Sequence, residues 1–243
     1  MKTYLALDVG GSSIKYALIQ EDSTILEKSS VPTPMDTMDH FVETIGTIYD
    51  QYKDRIEGMA ISMPGIINPE IGYAFTGGAL RYIDKMNIVD ILKERCPINI
   101  TIGNDAKCAA NAEIGYGNLQ DIQDGAVVIL GTGIGGCLIK DHKVHTGRHF
   151  SAGEFSFVKT NCLDGISWDY AWSTRNGIKG LLERVQESLG TNQEYTGIEI
   201  FDMANEGNEK VIEGISQFCK EVATQIFNVH IIFDCEKVAI GGG

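Results

Sequence analysis

Two stretches of this chain have the residue types and spacing for chemistry on phosphate. The first is Asp8-Val9-Gly10-Gly11-Ser12-Ser13-Ile14-Lys15, set between the apolar runs Tyr4–Leu7 and Tyr16–Ile19. Strand, glycine turn, strand is the expected local structure. Adjacent glycines let the backbone bend sharply and bring N–H groups close to an anion. Asp8 at the mouth of the turn can hold a hydrated Mg2+, a hard cation that prefers oxygen ligands. Lys15 adds positive charge beside it. A plain hairpin whose turn is Gly-Gly fits this stretch equally well. The second stretch, Ala126 to Lys140, repeats the design, with Gly131, Thr132, Gly133, Gly135 and Gly136 between apolar runs. The chain therefore reads as two related halves. Gly131, Gly133 and Gly136 match G-x-G-x-x-G in form, but that fingerprint needs a helix directly after the glycines. Cys137-Leu138-Ile139 reads as a strand, and no G-K-[ST] follows either cluster. Two glycine hairpins facing each other across a cleft, gripping phosphate through backbone N–H groups, is the plan that remains.

A third cluster, Asn104-Asp105, lies where a strand ends and an alanine-rich helix begins, with Gly115 and Gly117 closing the helix. Asp105 either caps that helix or, facing a phosphate site, accepts the proton of an attacking hydroxyl. The helix dipole is expected to lower its pKa and make it a weak base. A loose phosphoryl-transfer transition state tolerates that.

The elements that must position these residues can be read in order. Thr24–Val31 is a third strand, and Asp36 an N-cap for a helix whose apolar residues run from Met38 to Tyr52 at helical spacing. Gly58–Ser62 is a buried strand running into Pro64-Gly65. The order βββαβ puts Gly65 at a strand end, where α/β folds place ligands. Thr76–Leu80 is a glycine loop, Asn87 caps a short helix, and Ile98–Gly103 is the next strand. The polar link 118–125 marks the expected boundary between a small N-terminal α/β domain, 1–118, and a larger one, 119–243. Beyond it, His142, His145 and His149 with Asp141 are conceivable metal ligands, but read more simply as a solvated loop. Arg175–Leu189 is expected as one helix, Ile198–Ala204 as another, and Val211–Phe227 as a long, mostly buried one. Lys237–Ile240 is a strand ending in Gly241-Gly242-Gly243.

The 243 residues can bury roughly 70% of their unfolded surface. A net charge of −13 and a pI near 4.8 argue against nucleic acid or an anionic membrane as partner. No apolar run reaches the ~20 residues of a membrane span. The N-terminus runs straight into a strand, so no signal peptide is expected. Six scattered cysteines without C-x-x-C read as buried thiols of a cytoplasmic protein.

Asp8–Lys15, Gly131–Gly136 and Gly241–Gly243 together resemble the ROK family of bacterial sugar kinases and related repressors, in the actin-like (ribonuclease H-like), hexokinase-like ATPase superfamily. Gly103–Ala110 is the most specific piece. The resemblance implies an α/β fold of two domains with a cleft between them, and transfer of the γ-phosphate of ATP to a sugar hydroxyl. It implies Asp105 as base, with Asn104, Glu154 and Gly65 at the sugar and Asp169 in place of a later sugar-binding glutamate. Asp8 organises Mg2+. Gly10, Gly11, Ser12, Lys15, Gly131, Thr132, Gly133 and Gly135 hold phosphates, and Gly241, Gly242 and Gly243 lie at adenosine. A homodimer is the family expectation.

The family's asparagine before Leu80 is Ala79 here. Its Gly-His pair after Ala152-Gly153-Glu154 is Ser156-Phe157, and of its cysteine motif only Cys162 remains. No structural zinc is expected, which points to the zinc-free branch that includes kinases of β-glucosides and related sugars. Phe157 and Trp168 can wall a second sugar ring or pack in the core. In the family the chain continues past the terminal glycines, so a missing tail is expected. Two rivals are a sugar sensor without a DNA-binding domain and an actin-like ATPase of the chaperone kind. The chain opens on its first strand and is acidic, which argues against DNA. Asn104-Asp105 with Ala152-Gly153-Glu154, all explained by a sugar, argue against the chaperone.

Overall fold

The computed structural model describes residues 1–162 and 167–242. The chain divides into two compact units, Met1–Cys108 and Ala109–Gly243.

The first unit is built on β1 (Thr3–Val9), β2 (Ser13–Gln20), β3 (Ile25–Pro32), α1 (Met38–Tyr52) and β4 (Gly58–Met63). Three short strands follow, β5 (Ile67–Asn68), β6 (Tyr73–Thr76) and β7 (Asp84–Asn87), then α2 (Ile88–Arg95) and β8 (Ile100–Asn104). The main sheet has the order β3-β2-β1-β4-β8. Its first three strands are antiparallel, and β4 and β8 run parallel to β1. Alternating apolar residues explain the burial: Leu5, Leu7 and Val9 of β1 meet Ile14 and Leu18 of β2, and Phe41, Ile45 and Ile48 of α1 cover them. Thr37, rather than Asp36, caps α1 by accepting the His40 amide at 3.2 Å, and Asp36 pairs with the His40 ring instead. Asn87 caps α2 through the Asp90 amide, as expected.

α3 (Asp105–Gly115) leads into the second unit, with β9 (Gly125–Leu130), β10 (Ile134–Lys140), β11 (Lys143–His145), α4 (Trp172–Asn176), α5 (Ile178–Leu189), α6 (Gly197–Asn205), α7 (Glu209–Phe233) and β12 (Lys237–Gly242). Its sheet has the order β11-β10-β9-β12, with β12 parallel to β9. This is the first sheet's plan again, three antiparallel strands and a parallel return, so the doubled pattern of the sequence is a doubled topology. Ala110 of α3 packs with Leu119, Ile122, Val127, Cys137 and Ile139 of this unit. The division therefore falls within α3, ahead of the link at 118–125.

The expected helix Arg175–Leu189 is two helices, α4 and α5, broken at Gly177. A Cβ there would collide with the Thr132 carbonyl, and the Ile178 amide donates to the Gly131 carbonyl at 2.9 Å. Helix α7 is buried on one face only. Val211, Phe218 and Val222 are buried, whereas Ile212, Cys219 and Phe227 are exposed. Of the cysteines, Cys96, Cys137 and Cys235 are buried as thiols, but Cys162 and Cys219 are exposed. His142 uses its Nδ1 on the Ile122 carbonyl at 2.7 Å. Among the described residues no helix is long and apolar enough to cross a membrane.

Candidate active site

Strand register assembles the constellation of the first unit. Asp8 pairs with Lys15 on one side and Ser62 on the other, and Ser62 with Gly103. Directly paired residues share a face of the sheet, so Lys15, Asp8 and Ser62 stand in a row at the carboxyl ends of β1 and β4. The Ser62 hydroxyl donates to Asp8 Oδ1 at 3.1 Å. The Gly10 amide is spent closing its own turn on the Ser13 carbonyl, 3.0 Å away. The amides left to meet an anion are those of Gly11 and Ser12. Thr33 clamps this turn: its hydroxyl donates to the Gly10 carbonyl at 2.7 Å and its amide to the Ser12 carbonyl at 3.1 Å.

Met63 pairs with Asn104, so one strand end carries the Pro64-Gly65 turn and the next carries Asn104-Asp105. Asn104 is buried, 5% exposed. Its Oδ1 accepts the Lys107 amide at 3.0 Å and its Nδ2 donates to the Gly65 carbonyl at 2.9 Å. Asn104 is therefore the cap of α3. Asp105 is its first helical residue, with Oδ1 accepting the adjacent Ala106 amide at 2.8 Å. The capping reading of Asp105 is thereby replaced.

The expected fall in its pKa is also overturned. Burial of the carboxyl pushes the pKa of Asp105 up, and the negative charge of Asp8 adds to the shift. Desolvation and a like charge outweigh the amides of the helix end. As a residue Asp105 is nonetheless exposed: its carboxyl is crowded by the protein on one side and open to water on the other, so solvent screens the shift, and the upward direction leaves it a somewhat stronger proton acceptor than an ordinary aspartate. Asp8→Asn should move the Asp105 titration to lower pH, because it removes the like charge. An NMR titration of the Asp105 carboxyl carbon measures this; an unmoved midpoint would mean that burial alone sets the shift.

In the second unit, the turn Gly131-Thr132-Gly133 joins β9 to β10, closed by Gly131 N–H on the Gly133 carbonyl at 2.9 Å. It is pinned from three sides. The Ser173 hydroxyl oxygen accepts the Ile134 amide at 3.1 Å, the Ser156 hydroxyl donates to the Ile134 carbonyl at 2.5 Å, and Ile178 donates to Gly131. Gly135 lies inside β10, paired with Ile129, not in the turn. Gly241 and Gly242 pair with Ile129 and Leu130 of β9, which places them beside the turn. Gly243 lies outside the described residues.

Glu154 precedes a single 3-10 turn, Phe155–Phe157, and is partly buried. Gly153 before it adopts φ +75°, and a Cβ there would sit 2.8 Å from the Leu138 amide, so only glycine lets this segment lie against β10. Asp169 sits in a second 3-10 turn, Trp168–Tyr170, exposed, with Oδ2 accepting from the Ser167 hydroxyl at 2.9 Å. Phe157 and Trp168 are exposed, so core packing is ruled out for both. Sequence reasoning missed Ser62, Thr33, Ser156 and Ser173. Each works through a partner far away in sequence, and no local pattern announces such a contact.

The ROK family pattern matches residues 4–243, and the chain belongs to the ROK family. It is 30% identical over 242 residues to the beta-glucoside kinase of Listeria monocytogenes, covering 98% of this chain and 81% of that protein. It is 28% identical over 255 residues to the N-acetyl-D-glucosamine kinase of Haemophilus influenzae, covering 99% and 84%. Among solved structures, the Lmo2764 protein of Listeria monocytogenes, 28% identical, superposes with a TM-score of 0.89 over 99% of this chain and 83% of that one. The architecture is the actin-like ATPase fold.

Proposed function

We propose that this chain is an ATP-dependent carbohydrate kinase with Asp105 as its general base. The observation that carries the reading is the position of Asp105. It is the first residue of α3, fixed by the Asn104 cap, with its proton affinity raised beside Asp8. Asp105 accepts the proton of a sugar hydroxyl as that oxygen bonds to the γ-phosphorus of ATP. The bond to the bridging oxygen breaks and ADP leaves. Asn104 retains one amide hydrogen and one oxygen lone pair for a neighbouring hydroxyl. Gly65 supports it through the carbonyl that Asn104 already uses. In the second unit, Glu154 and Asp169 are the carboxylates that accept hydrogen bonds from other hydroxyls.

In the first unit the open amides of Gly11 and Ser12, with Lys15 supplying charge, are donors suited to phosphate oxygens, and in the second unit those of Thr132 and Gly133 are. Gly10 and Gly135 shape the backbone rather than donate. Gly241 and Gly242 lie at the adenosine, beside the second turn through their pairing with Ile129 and Leu130. Bound Mg2+ would neutralise charge on the phosphates. Asp8 fits it, being an exposed carboxylate at a strand end with one oxygen steadied by Ser62. The buried thiols, with burial raising the pKa of Cys96 to about 11, suit a reducing cytoplasm. A homodimer and a two-domain organisation complete the reading.

Ser173→Ala should raise the KM for ATP about fivefold, the worth of roughly one hydrogen bond, and leave the KM for sugar unchanged. Equal changes in both would mean that Ser173 supports the whole unit and not the phosphate turn. The kinase reading is tested by ADP release with Mg-ATP across a panel of sugars. Sugar-dependent turnover supports it. Sugar that raises the melting temperature without any turnover would support a sensor instead.

A further inference from the structure

Helix α4 supports the phosphate turn of the second unit near its start and lines a cavity of about 350 Å³ at its end. Ser173 holds the Ile134 amide, and Gly177, directly after the helix, packs against the Thr132 carbonyl. Arg175 and Asn176 line the cavity together with Tyr170 and with Glu221, Thr224 and Gln225 of α7. Asn176 is buried, 1% exposed, and its Nδ2 donates to Glu221 Oε2 at 3.2 Å. Its Oδ1 is also buried and has no hydrogen-bond partner among the described residues. Turning the amide over would set that oxygen against the carboxylate, so a flip does not remove the orphan. A buried acceptor left without a donor is a standing cost to the fold. The charges are unequal as well. Glu221 is taken up by Arg184, 2% exposed, whose Nε and Nη2 donate to its two oxygens at 3.0 and 2.9 Å. Arg175 acts on the same carboxylate only through space, and among the described residues it forms no ion pair and no side-chain hydrogen bond. One positive charge is left over beside one unmet acceptor.

We infer that this cavity is a regulatory site for a small hydroxyl-bearing anion, of the class of sugar phosphates and sugar acids, and that its occupation is felt at the phosphate turn. The link to ATP rests on the kinase reading; the site itself does not. The anionic group pairs with Arg175, whose planar fork suits phosphate and carboxylate oxygens. A hydroxyl of the same ligand donates to Asn176 Oδ1 and supplies the missing bond. An apolar ligand would leave both groups unmet, and a fully ionised anion without hydroxyls has no donor for the oxygen. Ser173 and Asn176 lie about one helical turn apart, and α4 is only five residues long. Groups that fix its end therefore fix its start. A ligand seated on Arg175 and Asn176 orders the support of the turn before ATP arrives, and a preorganised turn costs less to bind. By reciprocity, ATP tightens the ligand.

The probes are glucose 6-phosphate and gluconate, two hydroxyl-bearing anions, with sulfate as the anion that lacks a hydroxyl. Isothermal titration of the whole chain should show one or both of the first two binding. Binding should weaken about ten- to hundredfold in Arg175→Gln and be lost in Thr224→Tyr, which fills the cavity from an exposed position on α7. Both variants should keep the melting temperature of the wild type. In turnover with Mg-ATP, the bound anion should lower the KM for ATP about fivefold in the wild type and leave it unchanged in Thr224→Tyr. Binding of glucose 6-phosphate alone identifies a phosphate as the anionic group, and binding of gluconate a carboxylate; either supports the site. Binding that both variants leave intact overturns it, because the anion would then sit at the catalytic centre as a product does. Sulfate bound as tightly as the hydroxyl-bearing anions marks an adventitious ion only and overturns it too, as does no binding of either. An anion that binds here and leaves the KM for ATP unmoved overturns the link to the turn. Should no sugar be phosphorylated while binding still depends on Arg175 and Thr224, the kinase reading fails and the site stands.

Discussion

Asp105→Asn should lower kcat by about 10²- to 10⁴-fold, the usual worth of a positioned general base, while the protein still folds and still binds sugar. Asparagine keeps an oxygen that can accept the Ala106 amide, and the α3 cap belongs to Asn104, so the helix start is preserved. What disappears is the proton acceptor. The substitution also has a thermodynamic signature. The folded-state pKa of Asp105 is raised, mainly by burial and then by Asp8. Below the unfolded-state pKa the carboxyl is protonated in both states and folding costs nothing extra. As pH rises through the folded-state pKa, the folded protein must carry an ionised group that burial disfavours, and stability falls. Asparagine never ionises, so the variant should melt higher than the wild type near pH 7, with the gap closing as pH falls below the unfolded-state value. Lower activity with higher stability is the mark of a group held in an unfavourable place for function. Calorimetry across pH, beside steady-state kinetics, measures both. A variant that keeps turnover would remove Asp105 from the chemistry. One that melts lower at neutral pH would show that the carboxylate stabilises the fold.

Gly65→Ala should be the most damaging single change at the edge of the site. Gly65 adopts φ +113°, a region that L side chains rarely enter, and a Cβ there would collide with the Thr76 carbonyl. Backbone on the other side of the contact cannot move aside without shifting β6. A cost of about 2–4 kcal/mol is expected, or about 5–15 °C in melting temperature for a chain of this size. Activity should fall as well. The Gly65 carbonyl receives the Asn104 amide, and Asn104 sets the start of α3 and hence the position of Asp105. Gly115→Ala is the matched control. Gly115 ends the same helix, no atom lies within 4 Å of its added Cβ, and its φ is ordinary, so melting should be unchanged or raised. Similar losses in both variants would mean that the loss at Gly65 does not come from the strained geometry of its turn.

The sequence carried the strands, the helix starts and the glycine turns, because each is a local pattern. The alternation in Leu5, Leu7 and Val9 fixes which face of β1 is buried, and that face leaves Asp8 on the other. The doubled design around Gly10-Gly11 and Gly131–Gly133 was visible for the same reason. What was hidden depends on residues brought together from far apart. The Ser62 hydroxyl on Asp8, Ser173 under the second turn and Thr33 across the first are products of register and packing, not of spacing along the chain. The pKa of Asp105 was misjudged because only the local helix end was weighed, while burial and the charge of Asp8 decide the direction. The break at Gly177 escaped because the apolar spacing of α5 runs smoothly through it; the turn it packs on lies elsewhere in the sequence. The outward setting of Phe157 and Trp168 was open for a similar reason. Periodicity cannot orient residues in single 3-10 turns, whose direction is set by the backbone bonds that tie the two turns together.

The most direct test is to look for the product itself. The protein would be incubated with Mg-ATP and glucose, N-acetyl-D-glucosamine, N-acetylmannosamine, fructose, allose or cellobiose, and sugar phosphate and ADP would be measured together by mass spectrometry. The expected result is one sugar, or a narrow group, yielding sugar phosphate and ADP in equal amounts, with Asp105→Asn yielding little of either. ADP formed at the same rate with and without sugar, or sugar phosphate formed equally well by Asp105→Asn, would contradict a sugar kinase that works through this aspartate.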